Sequence, residues 1–133
     1  LNGTLSDRGQ LIDGAADRLH RLRGQLALHV LSADTFGTAE AIAADAQAQL
    51  SVIQTGADKR GYVEQLGADR CVAIGNGAND APMLQVARLG IAVIGPEGAH
   101  AAALAAAAVI CHSVLDALDL LLSPQALTAT LRP

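Results

Sequence analysis

A three-layer α/β/α fold, with a mainly parallel sheet between two layers of helices, is what this sequence predicts. Three observations lead there. Short apolar runs alternate with helical stretches of about ten residues, the pattern of strand–helix–strand units. The connections between them are short, as right-handed crossovers over one sheet require. At 133 residues the chain has the size of one domain able to bury a substantial core.

The elements follow in order. Residues 13–24, "DGAADRLHRLRG", offer Asp13 as an N-cap, helical spacing and a closing glycine. Residues 26–32, "LALHVLS", form a short apolar run bounded by polar residues and predict a buried strand. A helix over 38–50, a strand over 51–55 and a helix over 58–67 come next. "CVAIG" (71–75) predicts a strand, and "APMLQVARLG" (81–90) a helix with Pro82 in its first turn, where a missing N–H costs nothing. "IAVIG", "EGAHAAALAAA" and "AVICH" continue as strand, helix and strand. The chain closes as helix, interrupted at Pro124.

Composition narrows the function. Hydrophobic residues make up 51% of the chain and aromatics 2%, Phe36 and Tyr62, so Ala, Val, Leu and Ile must fill the core. Net charge is −4, with no basic stripe to follow a phosphate backbone, which argues against nucleic acid as a partner. The longest apolar run, Ala101 to Cys111, is too short to span a bilayer. The polar start "LNGTLSDRGQ" is no signal peptide, so a soluble, cytoplasmic protein without a membrane partner is expected. Cys71 and Cys111 sit in apolar runs and lack metal-ligand spacing, and they predict two buried free thiols in a reducing compartment.

Ligands of such sheets bind at the carboxyl ends of the strands, which singles out the loops at 32–38, 55–59, 75–80, 94–98 and 111–113. The loop "GNGAND" (75–80) has two glycines that admit close backbone approach, and Asn76 and Asp80 as oxygen donors. Oxygen ligation with few carboxylates suits Mg²⁺, which keeps water and phosphate in its shell. Asn-Gly also signals a hairpin turn, but "ANDAPML" supplies no second alternating strand. Lys59 is the one lysine among nine basic residues, either a plain surface lysine or, at the loop-to-helix junction after "VIQTGAD", a compact charge suited to a phosphoryl oxygen. Ser32 ends a strand, where its hydroxyl can donate to phosphate or cap a turn. Gly3 and Thr4 offer free backbone N–H groups in a sharp turn, an anion nest or a plain turn.

Other constellations give way. Ser113 beside His112 and Asp116 suggests a triad, but neighbours on a strand face opposite ways and no nucleophile elbow is present. Ser113 is better placed as the N-cap of the following helix. The four histidines show no i, i+4 pair for zinc, and residues 95–98, "GPEG", turn the chain beside the site.

The order turn, hydroxyl, lysine, metal loop resembles the haloacid dehalogenase-like superfamily, and more closely the phosphorylation domain of P-type ATPases and its small soluble relatives. "DKRGYVEQLGADRCVAIGNGANDAPML" is its most specific part, similar to the segment whose loop reads GDGxND in those ATPases. The resemblance implies a Rossmann-like, capless core of residues 1–133 that hydrolyses a small phosphorylated substrate with Mg²⁺ through an aspartyl-phosphate. It implies that Ser32 binds phosphate, Lys59 neutralises the phosphoaspartate, and Asn76 and Asp80 hold the metal. "LNGTL" is similar to the tail of the first motif, DxxGT[LV], which adds Gly3 and Thr4 to the phosphate set and Asn2 to the catalytic and metal sets.

Three departures qualify that likeness. The nucleophilic aspartate, and the apolar central strand that should carry it, would precede Leu1, so the printed chain reads as a fragment or a mis-called start. Asn2 stands where the phosphatases carry an acid/base aspartate, a loss worth about 10²–10⁴ in rate. That predicts slow turnover, or a preference for activated leaving groups such as acyl phosphates. Asn76 replaces the first metal-loop aspartate, and a unit charge 4 Å from an ion is worth roughly 4 kcal/mol at an effective dielectric near 20. Those two amides also fit a rival reading, a regulatory module that binds phosphate and Mg²⁺ without turnover. The short intervals from Leu5 to Ser32 and from Ser32 to Lys59 leave no room for a cap, so a second subunit, a partner or a macromolecular substrate is expected to cover the site.

Overall fold

The computed structural model describes residues 1–33 and 37–133. Phe36 and the middle of the 32–38 loop lie outside the described residues. The order is β1 (Ser6–Asp7), β2 (Gln10–Leu11), α1 (Ala15–Leu22), β3 (His29–Ser32), α2 (Thr38–Ala46), β4 (Gln49–Val52) and α3 (Gly56–Leu66). Then follow β5 (Val72–Gly75), α4 (Ala81–Val86), β6 (Leu89–Val93), α5 (Ala101–Ala106), β7 (Val109–Cys111), α6 (Val114–Leu121) and α7 (Pro124–Leu131). The expected parallel pairing is present in two blocks: β3 with β4, and β5–β6–β7. Among the described residues no ladder joins β3 to β5, and an apolar slot separates the blocks.

β6 shows why this is a three-layer fold. All five of its residues are buried, because both of its faces are covered. Leu89, Ile91 and Val93 face a cluster with Leu19 and Leu22 of α1, and Val114 and Leu118 of α6. Ala92 faces the opposite cluster, with Val63 of α3, Met83 and Leu84 of α4, and Ala103 of α5. Small aliphatic side chains fill both layers, as the aromatic-poor composition requires. No single helix among the described residues is long and apolar enough to cross a membrane.

Several local expectations change. Gly14, at φ 89, rather than Asp13, occupies the N-cap of α1, and no side-chain cap bond forms there. β4 begins two residues before the expected strand, since parallel pairing with β3 sets its register from Gln49 to Val52. The hairpin β1–β2 was not anticipated, because two-residue strands carry no readable alternation. Cys111 is buried as expected, but Cys71 is only half-buried and donates to the Gly67 carbonyl at 3.2 Å. The chain after Gly75 does not form a hairpin; it enters a single 3-10 turn, Ala78–Asp80, and then α4.

Ser113 is the N-cap foreseen, its Oγ accepting from the Asp116 amide at 3.1 Å. Ser113→Ala should therefore lower stability by about 1 kcal/mol in urea unfolding, as lost caps do, without moving any group of the site described next.

Candidate active site

The site is built on the carboxyl ends of β3 and β5. Lys59, one turn into α3, and Asp80, at the end of the 3-10 turn, are both buried and meet at 2.7 Å between Nζ and Oδ1. Thr55 starts α3 as its N-cap, accepting from the Asp58 amide, and so fixes the turn that carries Lys59. The second carboxylate oxygen of Asp80 accepts from the backbone amides of Asn76 at 2.9 Å and Gly77 at 3.0 Å. This is why position 75 is glycine: a Cβ there would lie 2.6 Å from the Asp80 carboxyl group. The sequence suggested that Gly75 makes room for a ligand, but in the structure the room is taken by Asp80.

Burial alone would raise the Asp80 pKa. The Lys59 hydrogen bond, the Gly77 amide and the Lys59 charge outweigh it and hold the carboxyl below its usual range. Asp80 takes one of the three Lys59 ammonium protons, and the other two meet no acceptor among the described residues.

Asn76 is held from both ends. Its Oδ1 accepts from Thr4 Oγ1 at 2.9 Å, and its Nδ2 donates to the Gly98 carbonyl at 3.1 Å. Its own carbonyl accepts from the His100 amide at 2.8 Å. Residues 1–6 are thereby tied to the β5 loop and to the loop after β6. Gly3, at φ 75, lies where a Cβ would come within 2.6 Å of Glu97 Oε2 and 2.7 Å of Asn76 Nδ2. The Gly3 and Thr4 amides, expected to be free, donate instead to the Ser6 and Leu1 carbonyls. Closing the tight turn consumes them.

Lys59, Asp80, Asn76, Thr4 and Gly3 are thus brought into one connected cluster. The exposed Asn2 accepts from Ser6 Oγ at 3.0 Å and joins through the same turn. Ser32 is buried as the last residue of β3, beside Val52 in register, on the same rim. The 94–98 loop was among those expected at the strand ends, with 95–98 as a turn; its Glu97, not singled out in the sequence, lies against the Gly3 turn. The Leu1 nitrogen is itself buried, near the charges of Asp80, Lys59 and Glu97.

Among the described residues no group of three His, Cys, Asp or Glu side chains is placed to hold a metal. A carboxylate has about four lone-pair sites, and Asp80 uses three of them. One remains there and one on Asn76 Oδ1. Two oxygen donors of this kind fit Mg²⁺, which binds through one or two protein ligands and completes its shell with water and phosphate.

A parallel sheet that gathers a buried lysine and oxygen donors at its carboxyl edge defines an α/β protein whose polar cluster lies where such sheets place their ligands. The family is specific: the model of the haloacid dehalogenase-like hydrolases matches residues 28–117, and the chain belongs to that family. An uncharacterized protein of Methanocaldococcus jannaschii is 46% identical over 63 residues, covering 47% of this chain and 68% of that one. The fold is also similar to 3-deoxy-D-manno-octulosonate 8-phosphate phosphatase from Moraxella catarrhalis, solved with a magnesium ion and a phosphate ion. That match has a TM-score of 0.73 at 20% identity over 99% of this chain and 90% of that one. The catalytic domain of the CPx-ATPase CopB-B matches with a TM-score of 0.62 at 21% identity, over 88% of this chain and 44% of that one.

The depressed Asp80 pKa fixes a sign. Ionised pairing stabilises the fold above the ordinary carboxylate range, near 4, and that stability drains as pH falls through the lower, folded value. Asp80→Asn, which leaves Lys59 buried without a counter-charge, should cost about 3–5 kcal/mol at neutral pH. Urea titrations between pH 7 and pH 3 should show the wild type losing more stability on acidification than the variant does.

Proposed function

We propose that the chain forms the core of a Mg²⁺-dependent phosphohydrolase that works through an aspartyl-phosphate on a small phosphorylated molecule. The observation that carries this reading is the buried Lys59, held by Asp80 with two ammonium protons that meet no acceptor among the described residues. Beside it lies the Leu1 nitrogen, so a residue bonded there stands within the cluster. The likeness to a phosphatase solved with magnesium and phosphate supports the same reading.

In this reading the carboxylate of an aspartate preceding Leu1 attacks phosphorus. Its oxygen–phosphorus bond forms as the bond to the leaving oxygen breaks, and that oxygen departs with the electron pair and takes a proton. Water then attacks the acyl phosphate, freeing phosphate and restoring the carboxylate. Ser32 Oγ and Lys59 Nζ hold the phosphoryl oxygens, with the Gly3–Thr4 turn setting the position of the attacking residue. Bound through Asp80 and Asn76, with Asn2 beside them, magnesium would offset phosphoryl charge. Asn2 has no proton to exchange, so acyl phosphates, which need no acid, are the expected good substrates.

One observation favours a second reading, a module that binds phosphate without turnover. Asn76 is neutral and engaged by protein at both side-chain atoms, which leaves its metal affinity low. The two readings separate in protein carrying an aspartate bonded to the Leu1 nitrogen. Mg²⁺-dependent release of phosphate from acetyl phosphate, with an acid-stable phosphoprotein, is expected, and Lys59→Ala should lower the rate by about 10²–10³-fold. An unchanged rate in that variant rejects the mechanism, and phosphate binding without release supports the module.

A further inference from the structure

Glu97, in the loop that follows β6, carries a charge that the protein itself does not answer. The residue is exposed, and among the described residues it has no hydrogen bond or ion pair. Lys59 is committed to Asp80, and His100, three residues on, turns its Nδ1 to the Ala102 amide at 3.0 Å. Rather than extending into water, the Glu97 side chain folds back over the Gly3 turn. Its Cβ lies 3.1 Å, and its Oε2 2.6 Å, from the point where a Cβ on Gly3 would sit.

The loop that presents this carboxylate is pinned along its length. The Ile94 and Gly95 amides donate to the Cys111 and His112 carbonyls at 3.0 and 3.1 Å, and the Gly98 amide closes a turn onto the Gly95 carbonyl at 3.2 Å. Asn76 grips the far end, donating through Nδ2 to the Gly98 carbonyl and accepting at its own carbonyl from the His100 amide. Gly95 packs so closely that a Cβ there would lie 2.7 Å from the Gly3 carbonyl oxygen. The Leu1 backbone nitrogen lies near the charges of Lys59, Asp80 and Glu97 alike, so the three border one space. Lys59 and Asp80 compensate each other, and Glu97 leaves a negative charge at the rim. An anion at that point does not serve a phosphoryl group, whose charge it repels. It serves a positive charge on another part of the same ligand, the part that reaches the open rim.

We infer that Glu97 selects the ligand by charge, favouring a phosphorylated molecule whose other end carries an ammonium group and disfavouring one with a second anionic group. The inference deepens the phosphohydrolase reading and rests on it for turnover, but the charge preference is itself a property of binding. Across about 4 Å of water, one unit charge facing another changes affinity by about fivefold. The sign of the preference therefore follows the sign of the side chain at position 97, and salt weakens it.

Calorimetric binding of three non-hydrolysable phosphonates of similar length, with Mg²⁺ present and the full chain as receptor, tests this. The probes are aminoethylphosphonate, propylphosphonate and carboxyethylphosphonate, whose far ends are positive, neutral and negative. The wild type should bind the first about fivefold more tightly than the second, and the second about fivefold more tightly than the third. Glu97→Gln should level the three affinities, and Glu97→Lys should invert their order. In about 1 M salt, where exposed charges are screened beyond about 3 Å, the wild-type differences should shrink. Equal affinities in the wild type, an order that survives in Glu97→Gln, or binding of none of the three overturns the inference. Phosphate release from acetyl phosphate reads the enzyme separately. The charge order without release upholds selection by Glu97 and rejects turnover, whereas release without the order rejects selection alone.

Discussion

The buried pair of Lys59 and Asp80 is the interaction on which the site depends. Two charges taken out of water at 2.7 Å are not stabilising by default, since desolvation of buried ions rivals their attraction. Here the balance is met by extra donors. Asp80 accepts two backbone amides besides the ammonium, and those amides come from the loop that Asp80 itself terminates. The carboxylate thus closes its own loop, and the loop presents Lys59 to the carboxyl edge of the sheet. Because Lys59 follows the β3–β4 block and Asp80 follows β5, the same pair also ties the two blocks together.

Asn76 extends that frame towards the start of the chain. An aspartate in its place would add a second buried negative charge next to Asp80, which the one lysine could not offset for both. An amide can accept from Thr4 and donate to Gly98 at once, whereas an ionised carboxylate accepts only. The residue that looks like a lost metal ligand therefore serves as the connector between three loops. That dual role explains why the Gly3 turn, the β5 loop and the loop carrying Glu97 form one surface.

The layered architecture was legible because helix and strand periods differ and β6, buried on both faces, reads as a continuous apolar run. The residues of the candidate cluster could be picked out because ligands bind at strand ends in such sheets, and Lys59, Asn76 and Asp80 stand at or just beyond them. What could not be read was chain geometry that leaves no pattern. The β1–β2 hairpin is too short to alternate, and the two-residue shift of β4 is set by its partner β3 rather than by its own residues. The engagement of the Gly3 and Thr4 amides depends on turn closure, which composition does not encode. Glu97 lies against the Gly3 turn, a neighbour far from it in sequence.

The charges at the site constrain any ligand. Lys59 and Asp80 cancel, and Asn2 and Asn76 are neutral, so a divalent cation at the β5 loop meets in Asp80 a carboxylate already committed to three donors. A phosphoryl group alone meets a single ammonium, shared with that carboxylate. Either ligand changes the balance for the other: an anion beside Lys59 lowers the potential that repels the cation, and the cation then offsets the anion. Under the proposed reading, phosphate and Mg²⁺ raise each other's affinity by the same factor, as linkage requires. An edge with a second carboxylate at position 76 would instead attract the metal first and repel the phosphoryl group in its absence. Under the same reading, the asparagine shifts the site from metal-first assembly towards joint assembly, a change of order that follows from the loss of one unit of charge.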